Sequence, residues 1–152
     1  MSKLCLGFLR FPILPEDEER LQGFLHRYGL KLMIYPADME YLSIDGFDCA
    51  EKKPFSISDD GLYDNCEMLL LPDNCVYNGK MNATLFAERM KVIESVFRFL
   101  LTKHKEISLF IGECEAYYAD YERHDIHIDS FMEVSRRLNS LESISLHVMI
   151  TN

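Results

Sequence analysis

The feature that most constrains this chain is the order of its sequence patterns. Three amphipathic helix patterns occur, and each is followed within a few residues by a short apolar strand pattern. Helices and strands connected this closely pack as layers around one core, so the order predicts an α+β fold of α/β-like character. The length of 152 residues fits a single globular domain that spans residues 1–152. We expect a mixed sheet of about five to six strands with three helices packed on it.

The first unit has the order strand, helix, strand. Residues 3–11 are almost continuously apolar, which is typical of a strand covered on both faces. Pro15 begins the first helix, and residues 16–19 fill its first turn with carboxylates that the helix dipole favours. Gly29 ends the helix as a left-handed cap, and residues 30–35 form the next strand. The two strands should be parallel, with a right-handed connection. We expect the buried stripe of the helix to comprise Leu21, Phe24 and Leu25.

Two further helix-strand units complete the pattern. The longest helix is predicted over residues 82–104, because apolar residues recur there at three- and four-residue spacing, and the strand 107–111 follows it. A third helix begins at Ser130, which has the capping-box spacing with Glu133, and it precedes the last strand at residues 144–151.

Residues 36–75 do not fit this scheme. They contain turn signals and two short apolar runs, at 55–57 and 68–71. We therefore expect one or two short strands within long loops, and loops of this length inside a domain are usually functional.

The formal net charge of −9 is unevenly distributed along the chain. Residues 36–75 hold ten acids and two bases, and residues 113–129 hold six acids and one base. Such a surface repels phosphates, so the composition argues against nucleic-acid binding. No run approaches the ~20 apolar residues of a membrane-spanning helix. Five scattered cysteines without a C-x-x-C pair are typical of reduced thiols, and we expect a cytoplasmic protein.

The second acidic segment also carries tyrosines. Residues 115–122 interleave three tyrosines with carboxylates, a composition typical of protein-binding surfaces, because the ring supplies contact area and the carboxylate binds Arg or Lys. Residues 124–129 alternate, which should place Asp125, His127 and Asp129 on a solvent-facing side. These three side chains also form a possible metal site, but alternate residues of a strand are roughly 6.5–7 Å apart, so we expect no metal and no cofactor.

No catalytic signature is present: the sequence lacks a P-loop, a G-x-S-x-G, a G-x-G-x-x-G and an H-E-x-x-H. We therefore expect no catalytic residues and a non-enzymatic protein. Cys114 lies between two acids, which raise a thiol pKa and make it a poor nucleophile. Cys5 and His147 should be packed within strands. The alternative is a small cytosolic enzyme or ligand-binding domain that uses Glu113, Glu115 and His127.

In general character the chain resembles the immunity proteins that neutralise bacterial polymorphic or contact-dependent toxins. The resemblance rests on the helix 85–104, the strand 107–112 that follows it, and the acid-and-tyrosine segment beyond. It implies a cognate toxin as partner, often a nuclease, whose basic active site would be occluded.

The residues expected to contact such a basic protein partner are the acids of both segments and the tyrosines between them. They are Asp45, Asp48, Asp59, Asp60, Asp64, Glu113, Glu115, Tyr117, Tyr118, Asp120, Tyr121, Glu122 and Asp125.

Overall fold

A computed structural model describes residues 3–35, 52–59, 76–77, 80–81, 83–113, 121–133 and 145–152. Within them, the strands and helices are β1 (Lys3–Leu9), α1 (Pro15–His26), β2 (Leu30–Ile34), β3 (Lys53–Asp59), β4 (Val76–Tyr77), β5 (Lys80–Met81), α2 (Ala83–Leu100), β6 (Glu106–Glu113), β7 (Glu122–His127), a 3-10 turn (Ile128–Ser130) and β8 (Leu146–Thr151). The predicted α+β class, with a mixed sheet and three helices, is confirmed. Of the third helix, only residues 131–133 are among those described.

Six strands form one mixed sheet in the order β2-β3-β1-β6-β8-β7, and β4 and β5 pair separately. All neighbours in the large sheet are antiparallel except β7 and β8. β1, β2, β7 and β8 therefore run in one direction, and β3 and β6 run in the other. The first four strands of this order have the β-α-β-β-α-β, or ferredoxin-like, arrangement, which β8 and β7 extend at one edge.

The strand-helix-strand unit is split by a third strand. β1 and β2 are parallel in direction, as expected, but β3 lies between them and hydrogen-bonds to both. The run 55–57 is thus part of a central seven-residue strand and not of a short strand in a loop. The run 68–71 lies outside the described residues.

The ends of α1 follow the sequence signals closely. Pro15 is its first residue, and Glu16, Asp17 and Glu18 lie in its first turn. Gly29 has a φ of 69°, which a residue without a side chain adopts at no steric cost. Leu21 and Leu25 are buried as expected, whereas Phe24 is 48% exposed, so the expectation that Phe24 is buried was wrong. Phe24 lies on the side of α1 that faces the groove beside α2.

The main core lies between the helices and one face of the sheet. Phe97 of α2 is at its centre, and its ring meets those of Phe55 and Phe131 edge-on at centroid distances of 6.4 and 5.3 Å. The opposite face of the sheet also buries side chains. Phe8 and Phe110 lie there with their rings edge-on at 5.8 Å, and both are almost completely buried.

Candidate functional site

Three strand ends that carry carboxylates lie at the same end of the large sheet. β3 ends at Asp59, β6 ends at Glu113, and β7 begins at Glu122. Because β7 runs opposite to β3 and β6, all three residues are at the end where β1 and β2 begin. The register agrees, since Asp59 lies opposite Leu30 and Glu113 opposite Lys3. We call this end of the sheet, defined by Asp59, Glu113 and Glu122, the acidic end.

The acidic end is where two stretches without any base are attached to the sheet. Residues 59–75 contain five acids and residues 113–122 contain four, and neither stretch has a Lys or Arg. Together they hold nine acids, a number equal to the net negative charge of the whole chain. Of the other expected partner residues in these stretches, only Tyr121 lies in the described part of the chain. Those outside it are Asp60, Asp64, Glu115, Tyr117, Tyr118 and Asp120.

The remaining acidic stretch, residues 36–51, is flanked by described residues that lie at the opposite end of the sheet. Asp45 and Asp48 lie outside the described residues, in the stretch 36–51. The described residues that flank this stretch are Tyr35, just after β2, and Lys52, just before β3. β2 ends and β3 begins at the end opposite the acidic end. The acids of residues 36–75 are therefore attached at two different ends of the sheet.

β7 presents a charged outer side, as its alternation predicted. Asp125, His127 and Asp129 are exposed, whereas Ile126 is partly buried against the core and Ile128 is buried. This strand forms one edge of the sheet and pairs with β8 in parallel register.

The charges on and beside β7 are matched within the chain. His124 Nε2 lies 2.6 Å from Glu122 Oε1, and Arg123 Nε donates to Asp125 Oδ1 at 3.1 Å. Arg98 of α2 donates to Asp129 Oδ1 at 2.9 Å, and hydrogen bonds to Asp129 and Glu94 raise the pKa of Arg98. The exposed side of β7 is therefore charged but largely compensated.

Tyr121 does not occupy the position expected of it. We expected Tyr121 to contact a protein partner, but Tyr121 is only 8% exposed. Its ring packs edge-on against Phe110 at a centroid distance of 5.3 Å. Tyr121 is therefore part of the domain's own packing. Alternation along β7 carries no signal for this burial, because Tyr121 shares its parity with the exposed residues Arg123, Asp125 and His127.

The alternative site made of Glu113, Glu115 and His127 is not assembled. His127 lies opposite Thr151, and Thr151 lies opposite Glu106 at the start of β6. Glu113 is seven residues further along β6, which corresponds to about 23 Å. Glu113 and His127 therefore cannot act on one reacting atom. Glu115 lies outside the described residues.

The metal alternative has no support in the part of the chain that the structure describes, where no group of three His, Cys, Asp or Glu side chains could hold an ion. The candidate ligands are engaged elsewhere. Asp125 binds Arg123, Asp129 binds Arg98, and His127 Nδ1 accepts a hydrogen bond from the backbone N–H of Asp129.

A buried Ser-His pair is the polar feature that the sequence did not reveal. Ser108 Oγ on β6 lies 2.7 Å from His147 Nε2 on β8, and the imidazole stacks on the Phe110 ring at 4.1 Å. Burial lowers the pKa of His147 to about 4. Both side chains are at most 4% exposed, so a substrate has no access to the hydroxyl. Packing of His147 within a strand is confirmed. Its partner Ser108 was not identifiable, because alternation within one strand does not show which residue of the neighbouring strand lies beside it.

No protein family, no curated protein and no solved structure matches this chain. Among the described helices, none combines the length and apolar character needed to cross a membrane.

Proposed function

We propose that this chain is a non-enzymatic binding protein that uses its acidic end to bind a basic surface of another protein. The observation that supports this proposal is the attachment of two base-free stretches, residues 59–75 and 113–122, at one end of the same sheet. Acids that were selected only for solubility would be spread among bases, as they are beside β7. Carboxylates of two stretches that are attached at the same end of the sheet can contact one cationic partner together.

The chemistry of such an interface is that of charge complementarity. Close charge pairs across protein interfaces couple by ~1.5–7 kcal/mol, and long-range steering raises association rates toward ~10⁸ M⁻¹s⁻¹ at low salt. Tyr117 and Tyr118 are the remaining aromatic anchors, since Tyr121 is used within the fold. Rigid tyrosine rings contribute contact area at low entropic cost.

We further propose that the partner is a toxin domain and that the chain acts as its immunity protein in the bacterial cytoplasm. A nuclease active site is basic because it binds substrate phosphates. Carboxylates of the acidic end would occupy the phosphate positions and exclude the substrate. The negative charge and the small size of the chain suit this role, and it requires no catalytic group.

The charged-surface part of the proposal is testable with a fluorescent nona-arginine peptide as a model of a basic surface. Binding is measured by anisotropy at increasing salt concentrations for two double variants. Glu115→Lys with Asp120→Lys changes the stretch 113–122, which is attached at the acidic end, and Asp45→Lys with Asp48→Lys changes the stretch 36–51, which is attached at the other end. Both alter the net charge by the same amount. We expect the first variant to bind at least about tenfold more weakly than the second at low salt.

Equal weakening by both variants would show that only net charge matters, and the proposed surface would be wrong.

The inhibitory role is tested by adding the chain to purified basic nuclease domains and measuring nucleic-acid cleavage. Inhibition at stoichiometric amounts that disappears with Glu115→Lys and Asp120→Lys supports the immunity function. Inhibition that survives both substitutions contradicts occlusion by the acidic end.

A further inference from the structure

A groove of about 210 Å³ lies at the junction of α1 and α2. The two helices run antiparallel there, because Asp17 contacts Lys103 at one end of the junction and Gly29 lies near Arg89 at the other. The groove is lined by Arg20, Leu21, Phe24, Ser95, Val96 and Phe99. One cation, one hydroxyl and four apolar side chains therefore surround a space at the protein surface.

The floor and walls of the groove are apolar. Leu21 and Val96 are almost completely buried, whereas the rings of Phe24 and Phe99 remain partly exposed. The volume of 210 Å³ corresponds to about seven water molecules at ~30 Å³ each. Pockets for drug-sized ligands are larger, at ~300–1,000 Å³. The groove therefore has room for one short hydrocarbon chain or one small ring.

Arg20 supplies a cation at the edge of this apolar space. Its guanidinium lies over the Phe99 ring, 5.0 Å from the centroid. Within the described residues it forms no hydrogen bond and no ion pair, not even with Glu16 one turn before it. A contact between a cation and a ring is electrostatic and leaves the five N–H donors of the guanidinium without acceptors. The ring therefore holds Arg20 at the groove while its donors stay available to a ligand.

The charge around the Phe99 ring is positive, although the chain as a whole is acidic. Lys103 Nζ lies 5.6 Å from the centroid of the same ring, on which Arg20 also rests. Lys103 is paired with Asp17, whose Oδ2 lies 2.6 Å from Nζ. The three charged side chains thus carry one more positive than negative charge, and the cation without a carboxylate is Arg20. Charge complementarity therefore favours an anionic ligand at this edge.

We propose that this groove binds a small amphipathic monocarboxylate, a short fatty acid in chemical class. The carboxylate binds the Arg20 guanidinium, which matches it with two parallel hydrogen bonds. The hydrocarbon chain lies between Phe24 and Phe99 and covers the exposed parts of both rings, which removes apolar surface from water. The volume suits a chain of about six to eight carbon atoms. A small inorganic anion would leave the apolar walls uncovered, and an organic cation would meet Arg20 unfavourably.

This site does not depend on the function proposed above. None of the residues that line the groove is among those expected to contact a basic protein partner. The cationic edge of the groove is beside the first turn of α1, which follows the end of β1 and so lies opposite the acidic end. Failure of either proposal leaves the other intact.

The test is an NMR titration of the full, ¹⁵N-labelled chain with hexanoate and, separately, with hexylammonium. The two probes have the same chain length and opposite charges. Because the protein is acidic, non-specific attraction favours hexylammonium, whereas the proposed site favours hexanoate. We expect hexanoate to shift the amide signals of α1 and α2 beside the groove and to bind at least about tenfold more tightly than hexylammonium. Acetate, which lacks the hydrocarbon chain, should bind more weakly than hexanoate.

Three variants locate the ligand. Arg20→Gln removes the charge but keeps a hydrogen-bonding side chain, and it should raise the dissociation constant of hexanoate by at least about tenfold. Arg27→Gln changes the net charge equally at an exposed position outside the groove, so this matched control should bind hexanoate as the wild type does. Ser95→Leu places an apolar side chain into the groove from an exposed helix position and should abolish binding. Circular dichroism of each variant establishes that it is folded.

A titration in which hexanoate shows no saturation overturns the proposal. So does hexylammonium that binds as tightly as hexanoate, since the groove then does not select for negative charge. Hexanoate binding that Arg20→Gln leaves unchanged contradicts the role of the guanidinium. Binding that survives Ser95→Leu shows that the ligand lies elsewhere on the protein, and the groove is then not the site.

Discussion

The side-chain amide of Gln22 hydrogen-bonds to both backbone groups of Leu32. Gln22 Nε2 donates to the Leu32 carbonyl oxygen at 2.6 Å, and the Leu32 N–H donates to Gln22 Oε1 at 2.9 Å. Leu32 lies in β2, which forms one edge of the large sheet and pairs with β3 on its other side. Gln22 thus takes the place of a further strand at this point, and it protects an edge that otherwise invites pairing with another chain.

Gln22→Ala is expected to lower the free energy of unfolding by about 1–2 kcal/mol, because it removes two hydrogen bonds to a half-buried backbone. Urea denaturation at low protein concentration measures this loss. The exposed β2 edge should also increase aggregation on prolonged incubation, which light scattering detects.

Gln22→Glu is the matched control for this substitution. Its carboxylate can still accept from the Leu32 N–H but cannot donate to the Leu32 carbonyl oxygen. Its stability should therefore lie between those of the wild type and Gln22→Ala. Equal stability of all three proteins would mean that the two hydrogen bonds contribute nothing.

Gly7 is required because the ring of Phe55 lies directly over it. The two residues are opposite each other on β1 and β3, and a Cβ at Gly7 would overlap the ring atoms of Phe55. Gly7→Ala should therefore destabilise the domain by about 1–3 kcal/mol, although alanine has the better strand propensity. Phe55→Leu in the same chain should relieve part of this cost, and a double-mutant cycle by urea denaturation measures the coupling. Additive effects would contradict the overlap.

The local elements were predictable because their signals are local. Pro15, the acidic first turn and Gly29 determine where α1 begins and ends, and each acts through residues within one turn of the helix. The position of β3 was not predictable in this way. Its insertion between β1 and β2 depends on pairing across the sheet, such as Gly7 with Phe55, and no periodicity within β3 encodes its neighbours.

The same distinction between local signals and pairing across the sheet applies to the candidate site. Alternation in β7 correctly predicted that Asp125 and His127 face outward, because side-chain direction in a strand depends only on residue spacing. The burial of Tyr121 depends on Phe110 of another strand, and the distance between Glu113 and His127 depends on strand direction. Relations of both kinds follow from the order of strands in the sheet, which the sequence patterns left open.

The ion pair between Lys103 and Asp17 should matter more than the one between Arg98 and Asp129. Lys103 Nζ lies 2.6 Å from Asp17 Oδ2, and the Asp17 side chain is only 10% exposed. Both side chains of the Arg98–Asp129 pair are well exposed. Asp17→Ala should therefore cost about 1–3 kcal/mol, since it removes a partly buried charged hydrogen bond in the first turn of α1. Arg98→Ala should leave the urea midpoint almost unchanged. Equal losses in the two variants would contradict the role of burial.

His147 should make the stability of the domain depend on pH. Burial lowers the pKa of His147 from 6.5 to about 4, so the unfolded chain binds a proton more readily than the folded one. The stability that this residue contributes is complete above pH 6.5 and is lost as the pH falls toward 4. Full loss corresponds to about 3 kcal/mol.

Urea denaturation between about pH 7 and pH 5 measures this dependence. His147→Gln removes the titrating imidazole, and its hydrogen bond and stacking as well, so the variant should be less stable at neutral pH. Its stability should nevertheless decline less steeply with falling pH than that of the wild type. His127→Gln removes an exposed imidazole and is the matched control, with a pH profile close to the wild type. If His147→Gln and the wild type show the same slope, protonation of the buried imidazole is not what destabilises the fold in acid.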